Sequence, residues 1–176
     1  MDRNDNLIQN EEELLVFLDS SAIRYQRITH DAVYTCEQAE DIRPDLPAVS
    51  TKNLFLRDKR RNYFLVMTAC KKRVDLKALG RTLETKKLHF GSPEDLLEVL
   101  GVTPGAVTVL GLINDRQQRL RLVVDAEIAD ETNFLCHPLV NTATLVLEHA
   151  DLLRFFEISG HQPEIVAVPE IQQQTR

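Results

Sequence analysis

Asn133-Phe134-Leu135-Cys136-His137-Pro138-Leu139-Val140-Asn141-Thr142-Ala143-Thr144 sets polar groups where the surrounding pattern calls for core. Upstream, Leu120, Leu122 and Val124 alternate as a strand, and downstream Thr144-Leu145-Val146-Leu147 reads as another. A turn carrying an imidazole is expected between them. Pro138 fixes its own φ and biases His137 towards extended geometry, so the ring is held on a defined backbone. This turn is expected to form one wall of a pocket whose other walls come from elsewhere in the chain.

Strand and helix signals surround it. Towards the N-terminus, Asn114-Asp115 turns the chain into the strand Leu120 to Asp125, and Val107, Val109 and Leu110 enter another strand after the turn signal Pro104-Gly105. Ser92-Pro93-Glu94-Asp95 is a strong helix start, and Gly101 a stop. Asp75 to Leu83 reads as a helix with Leu76 and Leu79 inward, and Leu88 to Phe90 as a short strand. Leu54 to Leu56 and Tyr63 to Met67 read as paired strands around the charged turn 58–62, with Lys52 at the start of the first. Thr35 and Gln38 have capping-box spacing for a helix that ends before Pro44, and Asn10 precedes three glutamates as the cap of an amphipathic helix. A strand is expected over Ile23 to Ile28. Beyond the opening turn come a helix from Asp151 to Ile158, a stop at Gly160 and an edge strand from Glu164 to Val168. This order predicts an α+β fold with a mixed, mainly antiparallel sheet and flanking helices.

A length of 176 residues with 43% hydrophobic composition suits one domain, expected over 1–170, with 171–176 as a polar tail. No apolar run is long enough to span a bilayer, and Met1 to Asn6 is too polar to open a secretory signal, so a cytoplasmic protein without a membrane partner is expected. The three cysteines are odd in number and widely spaced, which predicts neither a disulfide framework nor a metal cage. A net charge of −6 argues against DNA and other sequence-blind nucleic-acid binding. Yet from Lys52 to Lys87 twelve Lys and Arg stand against three acids, which marks a phosphate-facing surface on an acidic body unless these charges merely solvate a hairpin tip and a loop.

Familiar chemistries are excluded by what is missing: there is no glycine-rich phosphate loop, dinucleotide fingerprint or His-Glu-x-x-His pair. Cys136 and His137 are neighbours that point apart, and no second cluster completes a metal site, so no metal or other cofactor is expected and Cys136 reads as a buried structural thiol. What remains is Lys52-Asn53, Gly105 and His137: a cation, an amide, a backbone suited to close approach and an imidazole. This set lacks a nucleophile. It suits a site that binds an anionic or ester-bearing substrate and positions water. Thr35 adds a hydroxyl at a helix start that can meet an anionic ligand.

Thr35 within His30 to Ala39, Lys52-Asn53-Leu54-Phe55-Leu56, Gly101 to Thr108, and Cys136-His137-Pro138 through Asn141-Thr142-Ala143-Thr144 together resemble the free-standing editing domains related to the insertion domain of bacterial prolyl-tRNA synthetase. Within that superfamily the chain is similar to the alanyl-tRNA(Pro) deacylases. The resemblance implies hydrolysis of the ester that links a mischarged amino acid, chiefly alanine, to the terminal adenosine of tRNA(Pro). It implies that Lys52 is the essential lysine, that His137 lines the same pocket, and that Thr35, Asn53 and Asn141 contact substrate. Gly105 and Ala106 would lie in the loop whose backbone holds the ester or terminal ribose, although Val109 stands where that loop carries proline. The implied partners are the acceptor end of mischarged tRNA(Pro) and, as assistants, prolyl-tRNA synthetase or an elongation factor. The competing reading from another class is a non-catalytic module that senses aminoacyl-tRNA or a small metabolite through the same pocket.

Overall fold

The computed structural model describes residues 7–39, 41–42 and 44–172. Its longest strand, β2 (Val49–Arg57), pairs antiparallel with β3 (Tyr63–Ala69) from Thr51 opposite Ala69 to Arg57 opposite Tyr63. Beyond β3 lie β5 (Leu120–Asp125) and then β8 (Glu164–Val166), each joined in parallel. On its other side β2 pairs in parallel with β6 (Asn133–Cys136), which pairs antiparallel with β7 (Ala143–Glu148), which pairs antiparallel with β1 (Gln26–Thr29). The two-residue β4 (His89–Phe90) also pairs antiparallel with β2, at Leu56 and Arg57. The fold is therefore α+β with an eight-stranded, mixed, mainly antiparallel sheet.

Both faces of the sheet are covered, and β3 records this in its sequence: every residue from Tyr63 to Thr68 is buried. Leu65 and Met67 join Phe55, Leu122 and Val124 in the larger core. That core also takes Leu14 and Leu18 of α1 (Glu11–Ser20), Val99 of α4 (Pro93–Leu100) and Phe155 of α5 (His149–Ser159). Phe64 and Val66 point the other way, into a second core with Leu56, Val123 and Leu79 of α3 (Leu76–Thr82).

Helix ends follow local chemistry. The Asn10 side chain accepts from the Glu13 N–H at 2.9 Å, Ser92 and Asp95 form a reciprocal capping box, and Asp75 accepts from the Ala78 N–H at 2.9 Å. Gly101 (φ 67°) and Gly160 (φ 79°) end α4 and α5 in the left-handed region.

Several elements differ from the sequence expectation. The strand expected from Val107 through Leu110 to a turn at Asn114 is instead, over Val109–Asn114, a 3₁₀ segment started by the Thr108 side chain; a short, mostly buried apolar run carries no periodicity to separate the two. Asn133–Cys136, expected within a turn, is a strand buried along its whole length. β2 starts five residues earlier than its apolar centre indicated, which puts Lys52 and Asn53 in mid-strand. The helix after Thr35, α2 (Cys36–Ala39), has four residues; its expected continuation lies partly outside the described residues. So does most of the expected tail, since 173–176 are not described.

The β2–β3 turn is held by Asp58, whose carboxylate accepts from the Arg60 N–H at 2.8 Å, the Asn62 N–H at 2.9 Å, the Asn62 amide at 2.7 Å and the Thr85 hydroxyl at 2.6 Å. Desolvation alone would raise its pKa, but these hydrogen bonds outweigh it and bring the group from 3.8 to about 2. A carboxylate depressed in the folded state stabilises it fully above the unfolded pKa, and that contribution is lost as pH falls from about 4 towards about 2. Asp58→Asn is expected to lower unfolding free energy more at pH 6 than at pH 2 in urea titrations; equal losses at both pH values would contradict this role.

Candidate active site

The parallel ladder between β2 and β6 spans only Val49 opposite Phe134 and Ser50 opposite Leu135. Beyond it the strands part. The Thr51 hydroxyl donates to the Leu135 carbonyl at 2.8 Å at the fork, and the ladder with β4 begins only at Leu56. Between these points that side of β2 has no strand neighbour among the described residues. A cavity of about 250 Å³ occupies the fork. Lys52 and Asn53 line it from β2, His137 from the end of β6, Gly105 from the loop before the 3₁₀ segment, and Thr35 from the start of α2. Five of the seven residues singled out in the sequence thus meet in one place. Ala106 and Asn141 do not line it.

Lys52 stands opposite Thr68 in the β2–β3 register, and its Nζ donates to the carbonyl of Lys72, just past β3. Burial pushes the ammonium below its ordinary pKa, while Glu170 and Glu37 pull it back up. Among the described residues it is the one formally charged side chain lining the cavity. Lys72 is differently placed: its ammonium lies 2.7 Å from Asp125 and 2.6 Å from Glu127, and Asp125 also accepts from the Thr68 hydroxyl at 2.6 Å. That network fixes the turn whose carbonyl receives Lys52.

Two polar atoms on the cavity-lining residues, Asn53 Oδ1 and His137 Nδ1, are buried and have no hydrogen-bond partner among the described residues. Leaving such an atom unpaired costs about 1–3 kcal/mol, which makes both natural contacts for a polar ligand. Burial pushes the His137 pKa down, a backbone contact with Ala143 opposes this, and nearby His30 adds to the lowering. A neutral ring at neutral pH follows. After His137, Leu139 adopts φ 64° with its side chain buried, a left-handed conformation that costs a non-glycine residue about 1–3 kcal/mol.

Backbone angles and hydrogen bonds place the other candidates. Gly105 has φ 90°, a left-handed backbone angle that favours glycine, and open space where a Cβ would stand. The Ala106 N–H donates to the Thr103 carbonyl at 3.1 Å and is consumed in closing the turn. The Asn141 carbonyl accepts from the Val33 N–H at 2.9 Å and so supports the wall from outside the cavity. The Thr35 hydroxyl accepts from the Gln38 N–H at 3.2 Å, and Gln38 Oε1 accepts from the Thr35 N–H at 3.3 Å, the box that its spacing predicted.

A sequence profile described as the aminoacyl-tRNA editing domain matches residues 30–155. The chain belongs to the aminoacyl-tRNA editing domain family. It is 38% identical over 158 residues to prolyl-tRNA synthetase associated domain-containing protein 1 of Danio rerio, covering 89% of this chain and 86% of that protein. It is 35% identical over 151 residues to the prolyl-tRNA editing protein ProX of Acetoanaerobium sticklandii, covering 85% and 92%. A solved structure described provisionally as a trans-editing enzyme for prolyl-tRNA synthetase superposes with a TM-score of 0.68 at 17% identity, covering 91% of this chain and 98% of that one, a likeness of fold.

Three features of this editing domain were not found in the sequence. Tyr34 lines the cavity with 77% of its surface exposed, and the Thr144 hydroxyl, also lining it, is hydrogen-bonded at 2.9 Å to Nε2 of His30, whose Nδ1 faces the Asp31 carbonyl at 2.7 Å. Only the β1–β7 register brings His30 to Thr144, so no local signal announces the pair. The third corrects the cysteine reading: Cys36 and Cys70 form a disulfide with Cα atoms 5.7 Å apart. Their separation of 34 residues is closed by the tertiary fold, which spacing alone does not reveal. Cys136 is the buried thiol expected, pushed up to about 12 by desolvation, and so is no nucleophile at neutral pH.

The basic segment divides as well. Lys72 is committed to its buried ion pairs, whereas Lys59, Arg60 and Lys86 line a groove at the hairpin end of β2 with Arg119 and Arg121. Those two arginines lie over the rings of Tyr63 and Phe64, each 5.1 Å from the centroid, and pair with Glu98 and Glu164. For the site itself the direct check is His137: its NMR-detected titration midpoint is expected below 6.5, and a midpoint above that value would contradict a desolvated neutral ring.

Proposed function

We propose that residues 1–170 act as one editing unit that hydrolyses the ester of mischarged tRNA(Pro), Ala-tRNA(Pro) above all. The observation that carries this reading is the convergence of Lys52, Asn53 and His137 on one cavity in a chain of the editing-domain family. A cation and two unpaired polar atoms in a small cleft can hold an ester and its neighbouring phosphate without a nucleophile of their own. Water then attacks the ester carbonyl, helped by the vicinal hydroxyl of the terminal ribose. The bond from the carbonyl carbon to the ribose oxygen breaks, and that oxygen takes a proton.

The Lys52 ammonium stabilises the charge that develops near the ester, and His137, neutral and held by its strained loop, positions substrate by hydrogen bonding. Apolar contacts from Val33, Ile42, Val107 and Leu135 leave room for a small side chain, and steric overlap rejects proline. The exposed Tyr34 ring at the cavity offers a stacking platform for the terminal adenine. Lys59, Arg60 and Lys86 lie toward the far end of β2, where the acceptor stem of a bound tRNA would bring its phosphates.

Deacylation of Ala-, Ser-, Cys- and Pro-tRNA(Pro) by the purified protein tests this reading. Ala-tRNA(Pro) is expected to be cleaved fastest, and Lys52→Ala to lower kcat/KM by about 10²–10³-fold, the scale for removing one preorganised electrostatic contact. Unimpaired turnover in that variant would sink the assignment of Lys52, and saturable binding without hydrolysis across the panel would replace the enzyme by a sensor. Tyr34→Ala is expected to raise KM by about 5- to 100-fold, the worth of one base stack, while Tyr34→Phe keeps the wild-type value; a Tyr34→Ala variant with unchanged KM would remove the stacking role.

A further inference from the structure

We propose that Cys36 and Cys70 are a reversible thiol–disulfide exchange site in the cavity wall, which takes a cellular dithiol as its reductant and sets how firmly the Tyr34–Ala39 wall is held beside Lys52. Its effect on turnover rests on the hydrolase reading; the exchange and its effect on the wall do not.

Both cysteines line the cavity and both are half-exposed, so a small thiolate can reach them from the substrate side. They belong to parts of the chain that meet across the fold. On one side, α2 has four residues and buries none of them, and a single helical turn of that length does not hold itself in water. Among the described residues, the segment is also tied by the Val33–Asn141 bond and by Ile42, which is 9% exposed. A covalent link there is a major part of what fixes Tyr34, Thr35 and Glu37.

On the other side, Cys70 begins the turn that governs Lys52. The Cys70 N–H donates to the Ser50 carbonyl at 2.9 Å, and two residues on, the Lys72 carbonyl accepts from the Lys52 ammonium. The disulfide therefore joins the α2 wall directly to the strap that aims the lysine. Glu37, beside Cys36, lies close enough to Lys71 and Lys52 to feel both charges, so movement of the wall also changes the charge around Lys52.

The surroundings suit reversible chemistry. Lys71 adjoins Cys70 and Lys52 stands nearby, and such cations favour a reactive thiolate, with Glu37 as the opposing charge. Cys36 Sγ lies 2.9 Å from the Cys70 carbonyl oxygen, a contact that an S–H group uses as a hydrogen bond in the dithiol state. The remaining thiol, Cys136, is buried, which confines exchange to one pair. In the exchange, one thiolate of the dithiol attacks a sulfur of the pair, the Cys36–Cys70 bond breaks, and a mixed disulfide forms. The second thiolate of the reductant then releases the protein. Two electrons and two protons end on Cys36 and Cys70, and the reductant leaves as its own disulfide.

The full-length protein equilibrated in dithiothreitol buffers of graded redox potential provides the test, with thiols counted by alkylation and mass spectrometry and backbone exchange followed over Val33–Ala39. Cys36 and Cys70 are expected to gain and lose alkylation together, and the oxidised form to slow amide exchange in the wall at least about tenfold. Reduction is expected to raise KM for the aminoacyl-tRNA about fivefold or more, the lower range of energetic coupling between sites. The Cys36→Ser/Cys70→Ser double variant should match reduced wild-type protein and ignore the buffer. Thiols that stay fully alkylatable across all potentials, or wall exchange that is identical in both states, would overturn the proposal; wild-type reduction alone decides this should the variant fold poorly. Redox-dependent wall exchange with no hydrolysis in either state would leave the switch standing and defeat the hydrolase reading alone.

Discussion

The site depends on the point where β2 and β6 stop pairing. Two residue pairs hold these strands in parallel, and the Thr51 side chain ties off the ladder. A longer ladder would have satisfied the β2 backbone and filled the space with side chains; a missing one would have left the β1-β7-β6 half without an anchor on the rest of the sheet. The fork gives both firm support and an opening. Because β3 braces the other edge of β2 over seven residue pairs, Lys52 and Asn53 project from a rigid strand although they line a gap. Rigid placement matters here, since positioning and electrostatics lose effect with small displacements.

Two lysines twenty residues apart illustrate how surroundings assign roles. Lys72 has two carboxylates within ion-pair distance and is 11% exposed, so its charge is compensated and it serves as a structural pin. Lys52 meets a carbonyl oxygen instead, which holds the ammonium in place, and the charges of Glu170 and Glu37 act on it through space. The pin supports the charge: Thr68, opposite Lys52 on β3, bonds Asp125 of β5, Asp125 anchors Lys72, and the Lys72 backbone anchors Lys52. Sequence position alone would have made the two interchangeable members of one basic segment.

Legibility in the sequence followed the range of the interactions. Caps and stops depend on residues three or four apart, so Asn10, Ser92, Gly101 and Gly160 could be read directly, as could the Thr35–Gln38 box. The α+β class was legible too, from the alternation of strand and helix signals. Register was not. Nothing local says that Ser50 meets Leu135, that His30 meets Thr144, or that Cys36 meets Cys70, because each contact is made by the sheet as a whole. The motifs that resembled an editing domain hold Thr35, Lys52, Asn53, Gly105 and His137, which line one cavity, and also Ala106 and Asn141, which stand beside it without lining it. Whether a neighbour of a site residue faces the site depends on how its own backbone groups are used. In Ala106 and Asn141 those groups are committed to the turn and to Val33.

The state of Lys52 also constrains what chemistry the cavity can perform. A charged donor makes a stronger hydrogen bond to a carbonyl oxygen than a neutral one, so the contact with Lys72 favours the protonated amine. Glu170 and Glu37 favour it as well, against the desolvation that favours the neutral form. A protonated amine has no lone pair to attack an ester, and the one thiol lining the cavity outside the disulfide is held protonated by burial. With these two groups silent as nucleophiles, water is the reactant that the proposed hydrolysis requires, and the fixed charge of Lys52 acts on the carbonyl that water attacks. The same charge would be counterproductive if Lys52 served as a base. The electrostatics of the fork therefore suit the proposed reaction, in which the protein supplies place and field and the substrate the proton acceptor.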